Sequence, residues 1–374
     1  MAKLIEVHPL ILPPDYLELR KPRYNQRNRN KGPLESFDLM QFDRRTVFYD
    51  VFFSQNGSKL LAIGPPFNNL DNRLKQLELT INGAKAKFRF KTLPRELICL
   101  EAKLYAPIKE INTVHISFEN YNWSRDIAFF RASQNISLAL TTMQRDNRIH
   151  WILDWINYYK KALEVEQFII YDNRSAYQEK LIDLLPDNVL VVPWNSPFGP
   201  TDSHLNKFLH IGQLNHCRLR FEEVDIFLNF DIDELLVIRN KRVKEFIHHF
   251  PSVSFKGYRV PYIDMNKEKY SFSDFTKRAP EPQSGAPKYS FQRMAISANA
   301  VHKVIVGGVF ARAFPSLFIK EVLVNQAYFL HYLAINTDWK AKTSRLGRLS
   351  CFRPRYETNT LVSDESVMHI LNGE

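Results

Sequence analysis

The sequence predicts an α/β fold, in which a mostly parallel sheet with flanking helices follows a β-rich N-terminal region. Strand-like and helix-like segments alternate from about residue 135 onward, which is typical of parallel sheets with right-handed crossovers. The strand-like segments are almost entirely apolar, as expected for strands covered on both faces. Between residues 37 and 130, short segments alternate apolar and polar residues, which is typical of a β-sandwich.

These patterns divide the chain into regions and elements. The regions are an irregular basic arm (1–36), a β-rich accessory domain (37–132), an α/β domain (133–350) and a C-terminal tail (351–374). Prolines punctuate the arm, and Asn-Gly pairs at 56–57 and 82–83 predict hairpin turns in the accessory domain. In the α/β domain, strands are predicted at 136–142, 165–173, 189–194 and 224–230, and helices at 149–163, 177–186 and 203–221.

Composition narrows the class of protein. The chain has 374 residues and a net charge of +11, which favours polyanionic partners. Basic residues concentrate at 20–31 and 340–355; these segments are either solvated surface or contacts to an anionic membrane or a phosphorylated acceptor. Three cysteines far apart in sequence predict neither a disulfide framework nor a zinc site and fit a reducing compartment. No apolar stretch is long enough to span a membrane, so we expect a cytoplasmic protein, peripheral at most to the inner membrane face.

An unusual set of acids lies in the stretch FLNFDIDELLVI, residues 227–238. Asp231, Asp233 and Glu234 follow a predicted core strand, and ligands of open α/β sheets bind beyond the carboxyl ends of strands. Two carboxylates two residues apart can reach one ion, and oxygen ligands suit Mg²⁺ or Mn²⁺. A cation would also offset the cost of burying the acids. The alternative is that the acids merely cap a loop.

The same stretch resembles the DxDE(F/L)L signature of glycosyltransferases with the GT-A fold, and most closely those of family 2 and family 92-like proteins. Two other regions are similar to that group: 141–175, with its YDN-x-S strand end, and the segments 302–308 and 329–348, where an His-Tyr pair precedes a basic stretch. The resemblance spans about residues 135–350. The chain departs from the pattern at 145–147, where many relatives carry Asn-Glu.

The resemblance implies roles for individual residues. Asp233 is implied to bind the metal directly, Asp231 to contact metal or ribose, and His331 to be a third ligand or a diphosphate contact. The implied nucleotide contacts are residues at strand ends: Thr142, Arg145, Asp146, Asp172 and Asn173. The implied diphosphate contacts are basic residues: Lys303, Lys340 and Arg345. An inverting mechanism needs a carboxylate base on the acceptor side, for which we expect Asp264, with Glu281 and Asp274 as alternatives.

The predicted function is therefore metal-dependent, inverting transfer of a sugar from a nucleotide sugar, expected to be a UDP-sugar, to a glycan or lipid-linked acceptor in cell-surface polysaccharide or lipopolysaccharide synthesis. A nucleotidyltransferase is one alternative, because acids at a strand end also serve two-metal chemistry. A nucleic-acid-binding protein is another, suggested by the charge. We expect no nucleic acid partner, since that reading leaves Asp231, Asp233 and Glu234 unexplained.

Overall fold

The computed structural model describes residues 1–22, 41–93, 96–105, 108, 110–130, 135–199, 208–239, 252–261, 269–283, 288–292, 319–335, 337 and 360–372. In the described part of its first half, the 3-10 helix Asn68–Leu70 and the short helix α1 (Asp71–Leu74) accompany eleven strands: β1 (Lys3–Leu4), β2 (Leu10–Ile11), β3 (Thr46–Phe48), β4 (Asp50–Phe53), β5 (Lys59–Gly64), β6 (Glu78–Ile81), β7 (Ala84–Lys85), β8 (Phe88–Thr92), β9 (Ile98–Lys103), β10 (Ile111–Phe118) and β11 (Tyr121–Ala128).

The second half alternates strands and helices before it returns to strands. Where it is described, its α-helices are α2 (Ile149–Leu163), α3 (Gln178–Leu184), α4 (Leu209–Arg220) and α5 (Met368–Leu371). Its strands are β12 (Ile136–Gln144), β13 (Gln167–Asp172), β14 (Val189–Pro193), β15 (Val224–Asn229), β16 (Glu234–Ile238), β17 (Ser252–Phe255), β18 (Gly257–Val260), β19 (Lys277–Arg278), β20 (Lys288–Gln292), β21 (Ile319–Glu321), β22 (Ala327–Tyr332) and β23 (Val362–Ser363).

Among the described residues, the central sheet has eight strands in the order β1-β14-β13-β12-β15-β20-β17-β21. The first five strands in this order, β1, β14, β13, β12 and β15, are mutually parallel, and β20 runs antiparallel to both of its neighbours. The alternation of apolar strands with helices α2, α3 and α4 therefore produces the mostly parallel α/β sheet predicted from the sequence, and that prediction is confirmed.

Both faces of this sheet are buried, which explains the apolar strands. On β12, Leu138 and Leu140 belong to one hydrophobic core with α2 and the strands β16 and β22. Ala139 and Met143 face the opposite way, into a second core with α4. This period of two is the one expected for a strand covered on both sides.

A smaller sheet of three strands, β16-β22-β18, packs on the first of these cores. β22 runs antiparallel to β16 and parallel to β18, and its register places His331 directly opposite Glu234. This pairing places His331 beside the acidic stretch, although the two are almost 100 residues apart in the sequence.

The N-terminal region contains two four-stranded antiparallel sheets, β4-β5-β9-β8 and β11-β10-β6-β7. They share a third hydrophobic core. Both predicted Asn-Gly turns are confirmed: Gly57 and Gly83 have φ of 68° and 79° and connect β4 to β5 and β6 to β7. We call residues 41–130, where described, the β unit.

The region expected to be an irregular arm and the region expected to be a tail both contribute to the fold. β1 pairs in parallel with β14 and so extends the central sheet, and Ile5 is buried in its second core. Near the other end, β23 pairs with β19, and Val367 is buried in the first core. Two-residue strands and a four-residue helix are too short to leave a periodic signal in the sequence, which is why the patterns missed them.

A buried network of ionisable side chains joins the β unit to the central sheet. Asp50 on β4 accepts hydrogen bonds from His216 at 2.8 Å and Arg220 at 3.3 Å, both on α4. The pKa of Asp50 lies below its usual value, because the favourable Arg220 and His216 contacts outweigh its burial. Burial lowers the pKa of His216, in spite of its bond to Asp50.

Among the described residues, no helix combines the length and apolarity that crossing a membrane requires.

Candidate active site

The candidate site lies where strands β12, β13 and β15 end. β12 is flanked by β13 on one side and by β15 on the other, so the chain reverses direction across the sheet at this point. In open α/β sheets such a switch point is where ligands bind. Several predicted site residues lie at these strand ends: Thr142, Arg145 and Asp146 at β12, Asp172 and Asn173 at β13, and Asp231 and Asp233 after β15.

The acids of the stretch 227–238 form a tight turn between β15 and β16. The Glu234 backbone N–H donates to the Asp231 carbonyl at 3.0 Å, and the Asp231 N–H donates to the Glu234 carboxylate at 2.9 Å. Two aromatic side chains of α2 hold the turn from below. Trp155 Nε1 donates to the Asp231 carbonyl at 3.1 Å, and the Tyr159 hydroxyl donates to the Glu234 carbonyl at 3.1 Å. An apolar run can therefore contain three acids because the chain turns there.

Three side chains of this region could hold a metal ion. The ligand atoms of Asp233, Glu234 and His331 all lie within 4.8 Å of one another. His331 Nε2 is 3.2 Å from Asp233 Oδ2, and its Nδ1 is 3.2 Å from Gln283 Nε2. Burial lowers the pKa of His331, but the neighbouring Asp233 and Glu234 carboxylates raise it more, so that the net pKa lies above the ordinary value.

Asp231 is not part of this three-residue group; a lysine that the sequence reasoning missed binds it instead. Lys288 Nζ lies 2.8 Å from Asp231 Oδ2 and 2.9 Å from Glu234 Oε2. Burial disfavours the charged ammonium, but the two carboxylates raise the pKa of Lys288 well above its usual range. Burial in turn raises the pKa of Glu234. No local sequence pattern near position 288 shows that β20 returns beside β15.

The predicted nucleotide contacts at the end of β13 are engaged inside the protein. Asp172 is fully buried, and its carboxylate accepts hydrogen bonds from the Gln144 amide and from Ser175, whose hydroxyl lies at 2.6 Å. Burial raises the pKa of Asp172 in spite of the Ser175 contacts. Asn173 donates to the carbonyls of Trp194 at 2.5 Å and Ser196 at 2.9 Å. These bonds fix the loops that follow β12, β13 and β14 relative to one another.

The residues at the end of β12 are closer to solvent. Arg145 Nε lies 3.5 Å from Asp146 Oδ2, and these side chains are 37% and 43% exposed. The Asp146 carboxylate also accepts from the Ala176 N–H at 2.8 Å, and the Thr337 hydroxyl donates to the Arg145 carbonyl at 2.9 Å. Thr142 is fully buried, and within the described part of the chain its hydroxyl has no hydrogen-bond partner.

The candidates for the general base fall in different places. Asp274 accepts from the Ser271 N–H at 2.7 Å in a capping box of the short 3-10 helix Phe272–Asp274. Glu281 is exposed and lies two residues before Gln283, the partner of His331. Asp264, Lys303, Lys340 and Arg345 lie outside the described residues, as do most of the two basic segments.

The arrangement thus separates two halves. Asp233, Glu234 and His331 come together, with Asp231 linked to them through Lys288. The strand-end residues Asp146 and Asp172 are linked through Ser175, which donates to Asp172 and accepts from the Asp146 N–H at 2.8 Å. The carboxylate and imidazole cluster can bind a divalent cation, and the arginine at the end of the neighbouring strand β12 can contact an anionic ligand.

Among solved structures, the chain is similar to the galactosyltransferase LgtC in complex with donor and acceptor sugar analogues, with 13% identity, a TM-score of 0.31, and coverage of 59% of this chain and 98% of that one. It is also similar to glucosyl-3-phosphoglycerate synthase from Mycobacterium tuberculosis in complex with Mn²⁺, UDP-glucose and phosphoglyceric acid, with 12% identity, a TM-score of 0.26, and coverage of 50% and 69%. A third similar structure is that of a 4-diphosphocytidyl-2C-methyl-D-erythritol synthase, with 13% identity, a TM-score of 0.26, and coverage of 52% of this chain and 92% of that one. Likenesses this distant do not discriminate between activities.

No curated protein matches the sequence. The sequence profile of glycosyltransferase family 92 matches residues 138–355, which contain the parallel strands β12 to β15, the acidic turn and His331. This match covers more than half of the 374 residues and confirms the resemblance and the enzyme class predicted from the acidic stretch. The chain belongs to glycosyltransferase family 92.

Proposed function

We propose that this glycosyltransferase is metal-dependent and moves a sugar from a UDP-sugar to a glycan or lipid-linked acceptor with inversion at the anomeric carbon. The observation that carries the proposal is the group of Asp233, Glu234 and His331, whose ligand atoms lie within 4.8 Å of one another at the switch point of the sheet. The acceptor is proposed to belong to cell-surface polysaccharide or lipopolysaccharide synthesis.

The donor set fits a divalent cation. Asp233 and His331 are partly exposed, with side-chain exposures of 15% and 28%, so both can be reached from solvent. Carboxylate oxygens suit Mg²⁺ and Mn²⁺, and an imidazole nitrogen shifts the preference towards a transition metal. We therefore favour Mn²⁺. Bound there, such an ion would neutralise the diphosphate that departs with the nucleotide.

The chain's own residues would position the donor around this centre. Lys288 compensates the charges of Asp231 and Glu234, and so keeps the acidic turn folded. Asp231 remains our proposed contact to ribose or metal. Arg145 and Asp146, exposed at the end of β12, are proposed nucleotide contacts. The buried Asp172 and Asn173 are better suited to holding the loops that line the nucleotide site.

A carboxylate on the acceptor side would take the proton from the attacking hydroxyl. Asp264 remains our first candidate, because it follows β18 by four residues and β18 pairs with the strand that carries His331. Glu281 is the second candidate, since it is exposed near Gln283. Loss of kcat with unchanged donor binding in Asp264→Asn or Glu281→Gln would identify the base.

The experiment that tests the proposal is a thermal-shift titration with UDP-sugars, with and without Mn²⁺. A ligand that binds only the folded state at 100 times its Kd stabilises it by about 2.7 kcal/mol. The wild type should show a metal-dependent shift that Asp233→Asn loses. The matched control is Asp225→Asn, an exposed acid near the opposite end of the same strand, β15, which should shift like the wild type. Equal shifts in all three proteins would overturn the metal assignment.

A further inference from the structure

A cleft between the β unit and the central sheet carries an excess of positive charge. It has a volume of about 610 Å³ and is lined in part by Arg44, Arg45 and Arg174, with Asn195 and Ser196. Arg44 and Arg45 come from the β unit, just before β3, and Arg174 follows β13 in the YDN-x-S stretch. A volume of several hundred Å³ is typical of sites for small molecules.

The arginines of this cleft face solvent rather than acids. Arg44, Arg45 and Arg174 are all exposed, and Arg45 Nε donates to the Leu12 carbonyl at 2.7 Å. The side chains of Arg44 and Arg174 have no hydrogen-bond or ion-pair partner within the described part of the chain. The acid in the lining, Asp43, is buried and lies 3.4 Å from Arg20, so its charge is compensated away from the cleft.

Hydrogen bonds connect the loops that form the wall of the cleft. Asn173 holds the carbonyls of Trp194 and Ser196, and the Ser196 hydroxyl lies 3.3 Å from the Thr46 hydroxyl of the β unit. Arg174 has φ of 62°, a left-handed conformation that costs a non-glycine residue free energy. This conformation forms part of the turn after β13, and Arg174 lines the cleft.

The cleft lies at the same edge of the sheet as the group formed by Asp233, Glu234 and His331. Arg174 follows β13, which is two strands from β15, and Ser196 follows β14, which is three strands away. With neighbouring strands ~4.8 Å apart, the cleft is about 10–14 Å from the acidic turn measured across the sheet. A ligand that contacts both places must be longer than one sugar ring.

We propose that this cleft binds the acceptor, and that the acceptor is an oligosaccharide carrying a negative group, a phosphate or a carboxylate, at a distance from the hydroxyl that is glycosylated. Guanidinium groups bind both anions in a two-pronged geometry. The β unit thereby contributes to acceptor selection. This inference rests on the proposed transferase function, because it assigns the cleft to the acceptor of that reaction.

The test is calorimetric titration of the full chain with a hyaluronan tetrasaccharide, glucose 6-phosphate and neutral maltotetraose. A charged saccharide should bind more tightly than maltotetraose, and Arg174→Ala and Arg44→Ala should each weaken it about tenfold, the usual effect of losing one charge-assisted hydrogen bond. Arg125→Ala, an exposed arginine on β11, is the control and should bind like the wild type. Circular dichroism confirms that each variant is folded.

Three results would overturn the inference. The first is that neither charged saccharide binds better than maltotetraose. The second is that UDP with Mn²⁺ displaces the charged saccharide, which would assign the cleft to the donor. The third is that the arginine variants lose binding only to phosphatidylglycerol vesicles, which would assign it to a lipid headgroup. Asp233→Asn should keep saccharide binding, so a failed metal site and a failed acceptor cleft give different patterns.

Discussion

Replacing Lys288 by methionine should destabilise the protein in a pH-dependent manner. The variant removes the ammonium that lies 2.8 Å from Asp231 and 2.9 Å from Glu234. The side chains of Lys288 and Glu234 are only 15% and 4% exposed, so the carboxylates lose a partner in a place that water barely reaches. Breaking a buried ion pair by removing one partner costs ~3–5 kcal/mol, and we expect about 3 kcal/mol because Asp231 is 27% exposed.

The pH dependence follows from Glu234. Burial already raises its pKa, and loss of Lys288 raises it further. A carboxyl whose pKa is higher in the folded than in the unfolded state binds more protons when folded, so stability falls as pH rises between those two values. The cost of the variant should therefore be larger at pH 8 than at pH 5.

Equilibrium urea denaturation at both pH values measures this cost. The control is Lys256→Met, which removes an ammonium 2.7 Å from Glu321, where both side chains are exposed, at 44% and 61%. Exposed pairs contribute ~0–1 kcal/mol, so this control should change little. The reasoning is refuted if Lys288→Met costs no more than Lys256→Met, or if its cost is the same at both pH values.

Three further predictions concern the parts that surround the site. Burial lowers the pKa of His216 in the folded state, so the contribution of this residue to stability should be lost as pH falls below about 6.5, its unfolded value; the difference in free energy of unfolding between the wild type and His216→Gln, from urea denaturation at pH 8 and pH 5, tests this and should shrink at the lower pH. Gly64→Ala would place its methyl group 1.9 Å from the Val47 carbonyl, and such overpacking against backbone should lower the free energy of unfolding by about 3 kcal/mol; a loss below 1 kcal/mol would contradict the packing. Asn173→Ala removes the amide that donates hydrogen bonds to the Trp194 and Ser196 carbonyls, and it should weaken UDP binding with little change in Mn²⁺ affinity. Parallel titrations with UDP and with Mn²⁺ separate the two effects.

The sequence alone predicts the parts of this fold that repeat a local pattern. The apolar strands β12 to β15 and the amphipathic helix α2 could be predicted because their periods are written in consecutive residues. The acidic turn was recognisable because its carboxylates interrupt an apolar run, and His331 because its stretch resembles a known family. These signals located Asp233 and His331, which the structure brings to 3.2 Å.

Other features depend on contacts between distant segments. Lys288 reaches Asp231 only because β20 runs back beside β15, and no residue near position 288 encodes that pairing. The arginine cleft likewise requires the β unit and the loop after β13 to meet. The buried state of Asp172 was also hidden, since an Asp-Asn pair after a strand reads equally well as a turn or as a ligand contact.

The shared core beneath the central sheet has a consequence for how this enzyme could have been inherited. Phe52 and Ile63 of the β unit pack in one hydrophobic core with Tyr171 and Trp194 of the sheet, and Asp50 is buried against α4. A gene fusion that exchanged the β unit for an unrelated module would expose this apolar face. It would also leave the buried His216 and Arg220 without their carboxylate partner, Asp50. We therefore expect the β unit and the transferase sheet to have been passed on together, as one evolutionary unit.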